Sequence, residues 1–316
     1  MYQRDISIDY LRVLGTFLVI LAHVLPPNII QNIRTFDVVM LVYISALSMN
    51  ISYNPLTTYK DYLVKRIKRL YVPTAKLLVA LFVLSYLACT ITHRQQLFDI
   101  KTIIHSFLLL EDGLGYIWIT RVYLLIAIFS FFIMKYRNNK YVILGCLILI
   151  SVCICFLHHL YGLNVVADSY LVIPISYILI TLIAIIVANK RVYEKWLFAV
   201  CLVIVLAYSI GHGKFDPNAY KYPPSLYYLS YGVGCTLILK RIPYTQSSII
   251  EWLSKNSFNI YLMHIPCLLG MNFVAEHNTF FNFWCLKYLI VCLFSVAIPL
   301  IYFHVKRHLY EKIRSN

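Results

Sequence analysis

The chain has 316 residues, of which 61% are hydrophobic and only 13% charged, with a mean hydropathy of +0.74 and a formal net charge of +15. That apolar content excludes an ordinary soluble globular domain and defines an integral membrane protein. The positive charge raises nucleic acid as a partner, so the placement of the basic residues matters more than their sum.

A membrane-spanning helix needs about 20 mostly apolar residues. Ten such windows follow one another at 8–27, 34–53, 73–92, 116–135, 141–160, 169–188, 195–211, 225–240, 257–275 and 285–305. The expectation is an all-α polytopic membrane bundle of about ten transmembrane helices, one domain over 1–316, multi-pass in the cell membrane. No cleavable signal peptide is needed, because the first window keeps its polar residues and lacks a small-residue cleavage site. With the N-terminus in the cytoplasm, 19 Lys and Arg fall on cytoplasmic ends and loops, against six outside: Arg34, Arg94, Lys101, Lys214, Lys221 and Lys287. This is the positive-inside asymmetry. An even number of spans returns the basic tail "VKRHLYEKIRSN" to the same side, so the charge reports orientation and not nucleic acid. Most of the 27 Tyr serve interface belts and helix packing. The nine Cys lie mostly within spans and show no disulfide or zinc spacing.

Three longer connections stand out: 54–72 inside, and 93–115 and 211–224 outside. In "QLFDIKTIIHSFLLLEDG", Leu97, Ile100, Ile103, Ile104, Phe107 and Leu108 recur at helical spacing, which predicts an element lying on or dipping into the membrane surface. The prolines and tyrosines of "KFDPNAYKYPPSLYYLSYG" predict an extended outer loop capping the next span.

The first window, "DYLRVLGTFLVILAHVLPP", carries Asp9, Arg12 and His23 in an otherwise apolar run. At about 100° per residue, the eleven steps from Arg12 to His23 fall about 20° from three full turns, and Asp9 sits three residues before Arg12. The three form one stripe, which must look into the bundle or a wet cavity. An interfacial Asp9–Arg12 pair with a satisfied core histidine explains the stripe equally well. The second signal is "KDYLVKRIKRLYVP" at 60–73, where Arg66 and Arg69 are helical neighbours flanked by Lys65 and Lys68. Their planar forks suit phosphates, and cytoplasmic anchoring is the plainer alternative. Arg121, in "YIWITRVY", is an intramembrane arginine and so a functional candidate by default. Its alternative is a structural pair with Asp37 or another acid. The remaining histidines show no metal spacing, and neither a G-x-S-x-G elbow nor a phosphate-cradling glycine loop is present.

Arg12 and His23 separated by ten residues, followed by "KRIKR", resemble the acyltransferase-3 family of bacterial integral-membrane O-acyltransferases. "FDVVMLVYISALS", "YIWITRVYLL", "YKYPPSLYYLSYG" and "LSKNSFNIYLMHIP" extend the likeness in order from the first span to the last. Two departures are Ala46, where a Gly often follows the Ser of the second span, and the lack of an SGNH-type domain after the tenth. The resemblance takes the second departure to imply direct acylation or a separate protein partner.

The resemblance implies transfer of an acyl group, commonly acetyl from cytosolic acetyl-CoA or another acyl-CoA, to a hydroxyl of a cell-surface or lipid-linked glycan. In that scheme Arg66 and Arg69, with Lys65 or Lys68, hold the CoA phosphates, and Arg12 lies further along the entry path. His23 is the general base, since an imidazole accepts a proton near neutral pH. Asp37 orients that imidazole or merely starts its helix. Arg121, Trp118, His264 and Tyr222 are the expected acceptor-side residues. No metal is called for, and the implied partners are membrane lipids and polysaccharide-biosynthesis proteins. A transporter or flippase of a glycan or lipid-linked intermediate is the rival class, fitting the same buried charges. It lacks the internal repeat common in that class.

Overall fold

The computed structural model describes residues 5–188 and 191–315. Arg4 and Lys190, counted above among the cytoplasmic charges, lie outside the described residues, as do the side chains of Lys140, Cys155, His158, Arg191 and the tail from Lys306 onward. The described residues are helical and contain no strand. In chain order the elements are α1 (Ile6–His23), α2 (Asn28–Arg34), α3 (Asp37–Ile51), α4 (Tyr59–Ile91), α5 (Ile100–Phe107), α6 (Trp118–Tyr136) and α7 (Lys140–His158). Next comes α8 (Val165–Ala167), which runs through a π-helical turn (Asp168–Val172) into α9 (Ile173–Val187). The chain then forms α10 (Arg191–Gly211), α11 (Leu226–Leu239), α12 (Ser248–His277) and α13 (Trp284–Ser315).

Eight rods are long and apolar enough to cross a bilayer, counting Asn28–Ile51 and Val165–Val187 as one each, and Tyr141–Ile154 and Leu226–Leu239 are shorter apolar helices. All ten expected windows are therefore helical, with three revisions. The second is broken at Thr35 and Phe36. The basic motif, expected to precede the third span, is the first part of α4 itself, a rod of 33 residues capped by Thr58. The outer stretch before α11, expected to be extended, folds into a 3₁₀ turn (Pro217–Tyr220) and buries Lys221.

α3 is apolar nearly all round, the signature of a helix enclosed by others, and it packs on α1, α6, α9 and α11. By contrast α10 and α13 bury little of their length and show apolar residues outward, as lipid-facing rods do. Lacking a hydrophobic drive between helices in lipid, close packing relies on small residues. A Cβ added to Gly232 of α11 would stand 2.4 Å from the Val39 Cβ of α3, and one on Gly15 of α1 would stand 2.7 Å from Leu41. Gly232→Ala is expected to destabilise the bundle by about 1–3 kcal/mol through overpacking. Adding Val39→Ala should return part of the loss. Thermal unfolding of the three proteins in one detergent reads the effect.

Candidate active site

The α1 stripe faces the interior. Arg12 and Thr16 line a cavity of about 170 Å³ with Leu41, Ser45, Ser48 and Met49 of α3, Ser52 just after it, Arg66, Arg69 and Leu70 of α4, Ile119 and Tyr123 of α6, and Ser257, Phe258 and Tyr261 of α12. A second cavity of about 240 Å³ shares Met49, Ser52, Arg66 and Arg69 with the first and adds Lys65, Asn54 and Thr57. The two thus form one path, whose mouth lies at the basic end of α4. Arg66 is steadied over the Tyr62 ring at 5.1 Å. Lys68 is exposed and lines neither cavity.

Arg12 is anchored rather than loose. Its Nη2 donates to Ser48 Oγ at 2.6 Å and its Nη1 to Ser254 Oγ at 3.2 Å. Ser254 in turn donates to Asp9 Oδ1 at 2.5 Å, while Arg12 and Asp9 stand 3.9 Å apart. The expected Asp9–Arg12 pair is therefore bridged by a serine of α12. The sequence reading passed over Ser48, Ser52 and Ser254. The signal was available along α3 and its end, where Ser45, Ser48 and Ser52 recur every three or four residues in a mostly apolar stretch.

Next to Tyr261 of the cavity wall stands a pair of histidines. His23, at the last turn of α1, stacks on His264 of α12 with ring centres 5.2 Å apart and planes 18° from parallel. Tyr116 meets His23 edge-on at 4.9 Å. The Tyr261 hydroxyl donates to the Tyr116 backbone carbonyl, so these two tyrosines stand between the cavity and the histidines. His264 is fully buried; its Nδ1 bonds to the Tyr261 carbonyl, which leaves Nε2 the nitrogen without a partner.

Asp37 does not hold His23. Its carboxylate accepts from Arg34 Nη1 at 2.5 Å and lies 3.7 Å from the Lys221 ammonium. Arg34 also donates to Gln31 Oε1, and Gln31 Nε2 donates to the Ala22 carbonyl at 3.3 Å, which ties this cluster to the residue before His23. Lys221 lies 5.9 Å from the Trp118 ring centre and 5.7 Å from that of Tyr222, and those two rings meet edge-on. Trp118 is buried and Tyr222 is exposed at the rim. Burial pushes the Lys221 ammonium below the ordinary lysine range; Asp37 opposes that shift and Arg34 adds to it. Arg34 and Lys221 were read from sequence only as outer-loop charges, because nothing in their spacing shows that the loop folds back over the bundle.

Arg121 is 1% exposed: its Nη2 lies 3.9 Å from Glu111 Oε1, an acid other than Asp37, and its Nη1 donates to the Leu109 carbonyl, while Nε and Nη2 have no hydrogen-bond partner among the described residues. The last carbonyls of a helix have no partner within it, and here they are met by side chains. Tyr71 of α4 donates to the Phe107 carbonyl at 3.1 Å, and Tyr170 of the π turn donates to that of Leu108. Leu109 turns the chain with φ of 55°. Burial raises the Glu111 carboxyl above its usual range, with Arg121 opposing and Asp168 adding to the shift.

These features describe a helical membrane protein with a basic-mouthed polar path and, near it, a histidine pair of which His264 is buried and His23 half-buried. The family model described as an acyltransferase domain, of the acyltransferase-3 type, matches residues 5–304. The chain belongs to that family and is a membrane acyltransferase. Neither a curated protein nor a solved structure matches it.

Proposed function

We propose that the protein transfers an acyl group, acetyl first among the candidates, from cytosolic acyl-CoA to a hydroxyl of a cell-surface or lipid-linked glycan. The observation that carries this reading is the path itself: three basic side chains at its mouth, a fourth, Arg12, along it, and the His23–His264 pair next to its wall. Lys65, Arg66 and Arg69 hold the donor phosphates through charge-assisted bonds. The pantetheine arm lies along Arg12 and the α3 serines, and the thioester meets His23 when Tyr261 releases Tyr116.

His23 then takes the proton of the acceptor hydroxyl as its oxygen attacks the thioester carbonyl. The carbon–sulfur bond breaks, and the CoA thiolate leaves and recovers the proton. His264 supports the imidazole by stacking and faces the acceptor with its open nitrogen. Asp37 acts as a positioning residue, through Arg34 and Gln31. Trp118, Tyr222 and Arg121 form the acceptor side, with the exposed ring of Tyr222 at its entrance. No step uses a metal.

Binding of acetyl-CoA to protein in nanodiscs tests the donor half. Losing one charge-assisted contact removes about 1.5–3 kcal/mol, or about 10–100-fold in Kd. Arg66→Ala and Arg69→Ala are each expected to weaken binding within that range. Unchanged binding in both variants would refute the assignment of the mouth.

A further inference from the structure

The acceptor side of the site carries a charge imbalance that the transfer chemistry does not require. Arg34, Lys221 and Asp37 are all buried, at 5%, 7% and 1% exposure, and the two cations share the one carboxylate. Arg34 is well used: it bonds both Asp37 and Gln31 at hydrogen-bond distance. Lys221 is held more loosely: the nearest Asp37 oxygen is 3.7 Å away, and the rings of Trp118 and Tyr222 stand beside its ammonium. Asp37 Oδ1 is also occupied by the Val38 amide at 2.8 Å. Of the other acids on this side, half-buried Glu111 lies 3.9 Å from Arg121, and buried Asp168 accepts from the Gly162 amide.

A buried cation left with unspent donors is costly unless something pairs with it. Two aromatic rings beside an ammonium help to hold the cation and supply flat apolar surface, but they accept no strong hydrogen bond. Arg34 is tied through Gln31 to the carbonyl of Ala22, the residue before His23, so the cluster adjoins the outer end of α1.

We infer that Lys221, with Arg34 behind it and Trp118 and Tyr222 beside it, is a subsite for an anionic group on the acceptor, a carboxylate or a phosphate, held near the hydroxyl to be acylated. The inference rests on the acyltransfer reading for its location and adds the class of acceptor. A uronic-acid glycan and a sugar carried on a lipid phosphate present the same chemistry here.

The test uses the full-length protein in nanodiscs of zwitterionic lipid and reads binding rather than turnover, so that it does not depend on the donor. One arm compares an oligouronate with a neutral oligosaccharide of equal length. The other compares a polyprenyl phosphate with the neutral polyprenol. Wild type is expected to prefer the charged member by about tenfold or more in at least one arm, and the arm that responds identifies the source of the charge. Lys221→Met should abolish that preference and Lys221→Arg should keep it, while both still bind acetyl-CoA at the opposite end, which shows that they are folded. Equal binding of charged and neutral members by wild type in both arms, or a preference that survives in Lys221→Met, would overturn the inference. Failure to bind acetyl-CoA with the anionic preference intact would instead count against the donor assignment alone.

Discussion

Replacing His23 with alanine is expected to lower acyl transfer by about 10²–10⁴-fold, the range that a positioned general base contributes, while acetyl-CoA still binds with its wild-type affinity. The separation of effects follows from the geometry. His23 sits against Tyr116 and lines neither of the spaces assigned to the donor. Its ring stacks on His264 of α12. His23→Gln, of similar size and still polar, should be as inactive as His23→Ala, because the reaction needs a proton acceptor and not a hydrogen bond alone. The readout is single-turnover release of CoA thiol with saturating acceptor. Transfer within threefold of wild type in both variants would remove His23 from the chemistry and turn attention to His264.

The second large effect concerns stability. Arg121→Met should cost about 1–3 kcal/mol, the penalty of leaving the buried Leu109 carbonyl without its donor. The guanidinium serves Glu111 and the Leu109 carbonyl together, and the Tyr71 and Tyr170 hydroxyls complete the set that holds the end of α5 against the bundle. Glu111→Gln added to Arg121→Met should recover part of the loss, since the orphaned carboxylate is then neutral. Heat-induced unfolding in nanodiscs, with proteolysis of the 108–115 segment as a local probe, separates this outcome from a purely acceptor-binding role. A variant as stable as wild type and resistant to cleavage there would contradict the clamp.

Much of the architecture was legible because hydropathy windows report directly on bilayer crossing, where backbone groups leave helices as the only non-barrel solution. The Arg12–His23 stripe was legible for the same kind of reason: helical periodicity is local, and eleven steps bring the two residues nearly onto one line. The cavity did bring Arg12, Lys65, Arg66 and Arg69 together. What could not be read is whatever depends on which helices become neighbours. Ser254 lies 245 residues from the Asp9 that it bonds, and the Tyr116 carbonyl is 145 residues from the Tyr261 hydroxyl. Asp37 illustrates the division in one residue. It starts α3, as one of its two readings had it, but its ion partners were out of reach of that reading: Arg34 sits one helical turn before it and Lys221 arrives from a folded-back loop. The acids that matter to Arg121 were likewise hidden, because Glu111 was read only as part of a surface segment.

The central claim is that acyl-CoA enters from the basic end and that its acyl group leaves on a hydroxyl. The most direct measurement places the purified protein in sealed liposomes, with acetyl-CoA labelled in the acetyl group on the side of Arg66 and Arg69 and a surface-glycan extract on the other. The account predicts release of CoA thiol that depends on the glycan, with the label recovered on the glycan as a base-labile ester. Movement of glycan across the bilayer with no acetyl-CoA consumed and no labelled ester formed would contradict it.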